Sequence, residues 1–293
     1  FEPTGEFPAP LVAPRPLPFA FLNRATWGLF RMVAAKVHRE TLGTFRRELG
    51  LPPIDCVVSR AAKLKVPVLQ LWSALVVPHA RDAGPLTQTT GFVRLQDSVR
   101  QRLGEGTIDP ALMKWLGDGP APVYVGFGSM PVPALEDFGR ELLHIGRALK
   151  LRFVLCGGWN DAAVAQGLGG EALHVVPSVD HGWLFPKCAA VVHHGGAGST
   201  AAGVEAGVPS VICAYFADQP FWGARLQQLG VGTTFAAARH NTARLTQALQ
   251  EVLTDDVRAR AAKLGQALRA EQGTQAAVDA LAQLAGAKSR AAA

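Results

Sequence analysis

The chain has 293 residues, a formal net charge of +6, 48% hydrophobic and 18% charged residues. That length predicts roughly two domains of about 100–200 residues, and the apolar content excludes a disordered chain. The basic residues are scattered, with no basic run interleaved with aromatics to suggest a nucleic-acid surface, and no run of about 18 apolar residues offers a transmembrane helix.

The four cysteines, Cys56, Cys156, Cys188 and Cys213, are far apart and form no C-x-x-C pair. That pattern fits a reducing compartment, here the cytoplasm, better than a disulfide scaffold. The sequence opens on Phe1 with no signal-peptide pattern, and reads as a piece of something longer or a processed form.

In chain order, residues 1–20 carry six prolines and predict an extended surface segment. A helix is expected over about Asn23 to Leu49, stopped by Gly50 and Pro52-Pro53. It has Leu29, Met32, Val33 and Val37 on one face, which predicts packing against a sheet. Its basic residues, with Trp27 and Phe30, leave a peripheral membrane contact open. Val66 to Trp72 reads as a strand, residues 73–120 as loop-rich with one helix near Asp109 to Leu116, and 117–122 as a linker. The expected division is therefore 1–116 and 117–293.

From Val123 the pattern is regular. Apolar runs at 123–127, 152–156, 173–176, 189–193, 210–214 and 231–235 predict strands alternating with helices, and helices fill 242–285. Strands of this kind form a parallel α/β sheet covered on both faces, with ligands bound beyond the carboxyl ends of its strands. The turns after Phe127, Val176, His193 and Ala214 would share that edge.

The chemistry centres on His193-His194-Gly195-Gly196-Ala197-Gly198-Ser199-Thr200, a strand end, a glycine turn and a helix start. The first N–H groups of a helix lack internal partners and carry the positive end of its dipole, and glycines let a phosphate approach the backbone. Gly196, Ala197, Gly198, Ser199 and Thr200 would supply donors and His194 a further one; the plain alternative is a capped helix. Gly126-Phe127-Gly128-Ser129 is a second, weaker turn of this type. Asp218-Gln219-Pro220 opens a helix, and Asp218 is either its N-cap or, with Gln219, a ligand for sugar hydroxyls. Val175, Val176 and Pro177 end a strand and could meet a flat base through backbone groups. His144, His174, His181 and His240 read as surface or capping histidines, and no carboxylate pair is placed to bind a metal.

These residues resemble the donor-binding signature of the inverting nucleotide-sugar glycosyltransferases, in the sterol glucosyltransferase-like and antibiotic (vancomycin-type) branch. The marks are Gly182-Trp183-Leu184-Phe185-Pro186, the His193 to Thr200 stretch, Ala206-Gly207-Val208-Pro209 and Asp218 to Gly223, with Val123 to Met130 as the opening strand and turn. The resemblance implies a GT-B architecture: a Rossmann-like donor domain and an amino-terminal domain for a lipophilic acceptor. It implies a UDP-sugar donor and no separate cofactor or metal. His194, Ser129 and the 196–200 backbone would hold the diphosphate, Asp218 and Gln219 the sugar, and Val176 the uracil.

Two positions depart from the plant-type signature. Its uracil-stacking tryptophan falls at Val175 and its ribose-binding glutamate at Ala202. Nothing before Pro52 resembles the family's base histidine or its first glycine turn, so the resemblance implies an incomplete acceptor domain and no catalytic residue in this chain. Three readings stay open: a weak or inactive fragment of a hexosyltransferase, a split enzyme completed by a partner chain, and a non-catalytic sugar-nucleotide-binding protein.

Overall fold

The computed structural model describes residues 2–54, 60, 64–95, 97–102, 108–132, 134–158 and 167–291. Cys56 and the expected helix start at Pro133 lie outside these. The chain divides by contacts into two units, Phe1–Val93 with Gln272–Ala293, and Arg94–Glu271.

In the first unit the proline-rich segment lies along helix α1 (Ala20–Glu48). Donors missing from its backbone are replaced by side chains. Asn23 donates to the Gly5 carbonyl at 2.8 Å, Trp27 Nε1 to the Phe7 carbonyl at 2.9 Å, and the Ala9 N–H donates to Thr26 at 2.8 Å. Asp82 gathers Thr4, the Gly5 N–H and Arg24, and these hydrogen bonds bring its pKa down to about 2 against the opposing effect of burial.

Two short parallel strands follow, β1 (Val68–Gln70) and β2 (Thr87–Thr89), the second in a stretch expected to be loop. The terminal helix Gly273–Ala291 belongs to this unit, and Gly273 fits tightly against the backbone of Gly91 and Phe92.

The expected packing of α1 is corrected. Trp27 is buried, but Leu29, Met32, Val33 and Val37 are 45–65% exposed. The four share one face of the helix, but no described residue covers that face, so the spacing named a face that could be covered and not one that is.

The second unit opens with α2 (Asp97–Arg102) and α3 (Pro110–Gly117), the latter capped by Asp109, whose carboxylate accepts the Ala111 N–H at 2.8 Å. Six parallel strands then alternate with helices: β3 (Val123–Gly126), α4 (Leu135–Leu149), β4 (Phe153–Cys156), β5 (Leu173–Val176), α5 (His181–Leu184), β6 (Ala190–His193), α6 (Ala197–Ala206), β7 (Ser210–Ala214), α7 (Gln219–Gln228) and β8 (Gly232–Ala236). Helices α8 (Thr242–Val252) and α9 (Asp255–Arg269) complete the unit.

Each strand agrees with its expected position to within one or two residues. The sheet order is β5-β4-β3-β6-β7-β8. The chain first winds outward from β3 and then returns to its other side at β6, so the winding reverses between β3 and β6. Loops leaving two neighbouring strands in opposite directions open a crevice there.

Strand alternation sends one set of side chains to each face. On one face Val123, Val125, Val192, Val211 and Cys213 pack with Phe138, Leu142 and Ile145 of α4 and with Leu245 and Leu249 of α8. On the other, Tyr124, Val154, Val176 and Val191 pack with Leu112, Leu184, Phe185 and Val208. Each such fully buried aliphatic or aromatic side chain contributes about 1.5–3 kcal/mol over leaving it exposed. Among the described residues no helix is long and apolar enough to cross a membrane.

Candidate functional site

The carboxyl ends of β3, β4, β6 and β7 carry turns that touch one another in sequence across the sheet. Gly195, after β6, has φ +90°, and a Cβ there would lie 2.6 Å from Ile212 Cγ2 and 3.1 Å from the Gln219 carbonyl. Only glycine fits, and its fit brings the β6 and β7 turns together.

His194 bridges the other way. A Cβ on Gly196 would lie 2.5 Å from its Nε2, and one on Gly128 would lie 3.3 Å from its Cε1. Gly158, after β4, has φ +60° and lies directly against the Gly128 carbonyl. The Gly157 N–H then donates to the Val176 carbonyl at 2.9 Å. The turns after β3, β5, β6 and β7, expected to share an edge, are thus joined in one contiguous rim by the β4 turn at Gly157-Gly158, which was not among them.

Helix α6 starts on that rim with Gly196 as its N-cap and no side-chain cap. Its first backbone bond within the helix runs from the Thr200 N–H to the Gly196 carbonyl, at 2.9 Å. The earlier N–H groups at Ala197, Gly198 and Ser199 face out of the helix start, where an anion is favoured electrostatically. Ala197 and Gly198 are exposed and Ser199 is partly so, whereas Thr200 is buried. The Thr200 Oγ1 is buried without a partner. Ser129 is exposed in the Phe127–Met130 turn, closed by the Met130 N–H on the Phe127 carbonyl at 3.0 Å.

Burial pulls the His194 pKa below the usual imidazole range, opposed by the nearby Asp218 carboxylate. The neutral ring therefore offers one N–H. An anion beside it would draw a proton on.

Asp218 makes no side-chain cap on α7. Its carboxylate instead accepts the Trp222 indole N–H at 2.8 Å, a bond that aims it, and its backbone is right-handed where an N-cap is extended. Gln219 is 5% exposed and its Oε1 accepts from the Tyr215 and Phe216 N–H groups at 2.7 and 3.2 Å. Its Nε2 donates to Met130 Sδ of the β3 turn at 3.8 Å. Just before them, Ala217 is left-handed (φ +59°) and Phe216 is 60% exposed.

Two of the histidines read as surface or capping groups are half-buried and paired. His181 lies half-buried, stacked on Phe185, with its Nε2 2.9 Å from the Tyr124 hydroxyl. Burial lowers its pKa, Asp180 raises it, and proximity to His194 and Arg100 lowers it further. His240 pairs with Glu141 at 3.0 Å among Phe138 and Phe235. His240 also stands at the C-cap of the short helix Ala237–Arg239, as the capping reading expects. Tyr124 reaches His181 only because Gly126 has no side chain in its path. Gly157-Gly158 also belong to the rim, and Trp222 lies buried behind Asp218. The repeated pattern of glycine at strand ends was the signal for the first pair; the role of Trp222 had none.

Residues 170–284 match the family described as erythromycin biosynthesis protein CIII-like, C-terminal domain. The chain is 32% identical over 293 residues to sterol 3-beta-glucosyltransferase UGT80A2 of Arabidopsis thaliana, covering 96% of this chain and 43% of that protein. It is 37% identical over 242 residues to O-mycaminosyltylonolide 6-deoxyallosyltransferase of Streptomyces fradiae, covering 81% and 54%. The chain spans about half the length of the curated relatives it matches.

Its fold is that of the solved glycotransferase of kitacinnamycin, with TM-score 0.65, 24% identity, 85% of this chain and 62% of that one. Os79 from O. sativa, solved in complex with UDP, is alike over 61% of this chain and 43% of its own, with TM-score 0.51 and 20% identity.

Proposed function

We propose that this chain, a homologue of the sterol and antibiotic glycosyltransferases, binds a UDP-sugar on the rim formed by its β3, β4, β6 and β7 turns. The observation that carries the reading is the uncapped start of α6, with Gly195 left-handed and His194 set between Gly128 and Gly196. A diphosphate there would receive the N–H groups of Ala197, Gly198 and Ser199, with that of Gly196 beside them, a histidine N–H and the Ser129 hydroxyl. Thr200 would support the helix start from beneath. Asp218, aimed by Trp222, and Gln219 Nε2 would meet sugar hydroxyls. The Val176 carbonyl, with one lone pair still available, would meet the base.

The whole protein would transfer a hexosyl group, glucose by the sterol-type homologues, to a hydroxyl of a lipophilic acceptor. A base removes the acceptor proton as its oxygen attacks the anomeric carbon. The bond from that carbon to the diphosphate oxygen breaks, and UDP leaves with the electron pair. The configuration inverts because attack and departure are on opposite faces. Charge growing on the leaving diphosphate is met by groups already pointing at it, the usual source of electrostatic catalysis. None of the residues on this rim is placed as the base, and we assign none.

The test is titration of the chain with UDP and UDP-glucose by calorimetry. Saturable UDP binding is expected, weakened about tenfold or more in His194→Ala, in line with losing one hydrogen bond to a charged group. No binding by the folded wild-type chain would sink the reading.

One observation favours a second reading of the first unit. Among the described residues most of the exposed large apolar side chains lie there, including Phe19, Phe21, Met32, Val37 and Phe45, and the strands described in its sheet are β1 and β2. Parallel sheets are ordinarily covered on both faces. We infer that further polypeptide, continuous or as a partner chain, covers this unit and supplies the base. Gain of transfer on co-expression with the upstream half of a homologue would support this; full transfer by the chain alone would refute it.

A further inference from the structure

We propose that His193 is the positioning residue of the anion turn, its Nδ1 holding the Gly195 N–H so that the α6 backbone donors and His194 converge on one point. The proposal rests on the donor-site reading above. His193 is the last residue of β6 and is 1% exposed, on the face of the sheet that carries Val191 and α6. Its Nδ1 accepts from the Gly195 N–H at 3.0 Å. That N–H belongs to the peptide joining His194 to Gly195, so the bond fixes the plane through which His194 is aimed and from which Gly195 enters its left-handed conformation.

The cost of this histidine shows that it is not kept for packing. Its Nε2 is buried without a partner. An unpartnered buried donor costs about 1–3 kcal/mol, and a leucine or phenylalanine would fill the same volume without that cost. A buried residue that leaves one ring nitrogen unpartnered points to a requirement at its other end, Nδ1.

Protonation does not disturb the arrangement. Burial pushes the His193 pKa down to about 3, helped by proximity to His194 and His181. The ring is neutral near pH 7, with Nδ1 the acceptor and the hydrogen on Nε2. Because Gly195 wedges between Ile212 and Gln219, a turn released from His193 would also shift its fit against the β7 turn.

Asparagine and glutamine separate this role from mere burial. The Asn Oδ1 stands the same number of bonds from Cβ as His Nδ1, and the Gln carbonyl stands one bond further. His193→Asn is expected to bind UDP within about threefold of wild type, and His193→Gln and His193→Leu at least tenfold more weakly. Hydrogen exchange at the Gly195 amide, read without ligand, is expected to stay slow in His193→Asn and become fast in the other two.

Glutamine or leucine variants that bind as wild type, or an asparagine variant as weak as glutamine, would overturn the proposal while leaving the donor site standing. Fast Gly195 exchange in wild type would overturn it even if a variant failed to fold. Absence of UDP binding by wild type would remove the donor-site reading and this proposal together.

Discussion

The Asp218 carboxylate accepts the Trp222 indole N–H at 2.8 Å across one turn of α7, with Trp222 2% exposed beneath it. A buried donor therefore sets the direction of a carboxylate on the crevice rim. Trp222→Phe keeps most of the ring volume and removes only that donor. UDP-glucose affinity is expected to fall about tenfold with UDP affinity nearly unchanged. Calorimetry with both ligands checks this; equal losses for the two would mean that the bond supports the fold and not the sugar.

Gly195 and Gly198 lie three residues apart and should respond oppositely to alanine. At Gly195 a Cβ meets Ile212 and Gln219 in a left-handed backbone, so Gly195→Ala is expected to cost about 2–4 kcal/mol. At Gly198 a Cβ meets nothing within 4 Å inside a helix, so Gly198→Ala should stabilise the free protein by about 0.5–1 kcal/mol. The same Gly198 methyl would stand where the phosphate approaches and should weaken UDP binding. Chemical denaturation and titration on the two variants read both effects.

The buried His193 sets a pH dependence. Its folded pKa of about 3 is below the ordinary 6.5, so the unfolded chain takes up a proton that the folded chain refuses. Stability is expected to fall as pH drops from about 6.5 towards 3, by up to about 1.4 kcal/mol per unit, and to level off below. His174, His181 and His194 are lowered too and act in the same direction. His193→Asn should flatten the denaturation midpoint against pH without abolishing the slope, since the other three are still present.

Ala217 is left-handed with φ +59° on the turn that carries Asp218. A side chain there costs about 1 kcal/mol relative to glycine. Ala217→Gly is expected to raise stability by about that amount in denaturant titrations, and a loss would show that the alanine methyl has packing value outweighing the strain.

Much of the second unit was legible because its rules are local. Continuous apolar runs of four or five residues, rich in valine and bounded by glycine or proline, favour strands covered twice, and the glycines after β3, β4 and β6 mark the ends where backbone must turn sharply. Asp218 was legible as a polar helix start, but its two readings were not separable in sequence. Capping depends on the backbone angle of Asp218 itself, and its indole partner arrives from the next turn. The apolar residues of α1 misled for a related reason. Periodicity names a face that could be covered, and only neighbours decide whether it is.

The stretch from His193 to Thr200 by itself determined a strand, a glycine turn and a helix start, because those preferences are set by side chains within a few residues. The tertiary structure decided what that turn faces. It put β6 beside β3 at the reversal of winding, wedged Gly195 against Ile212 and Gln219, and set the His194 ring between Gly128 and Gly196. It also buried His193 so completely that its ring is neutral and its Nδ1 is committed to Gly195. Contacts between residues tens of positions apart depend on sheet order and register, which no local preference encodes.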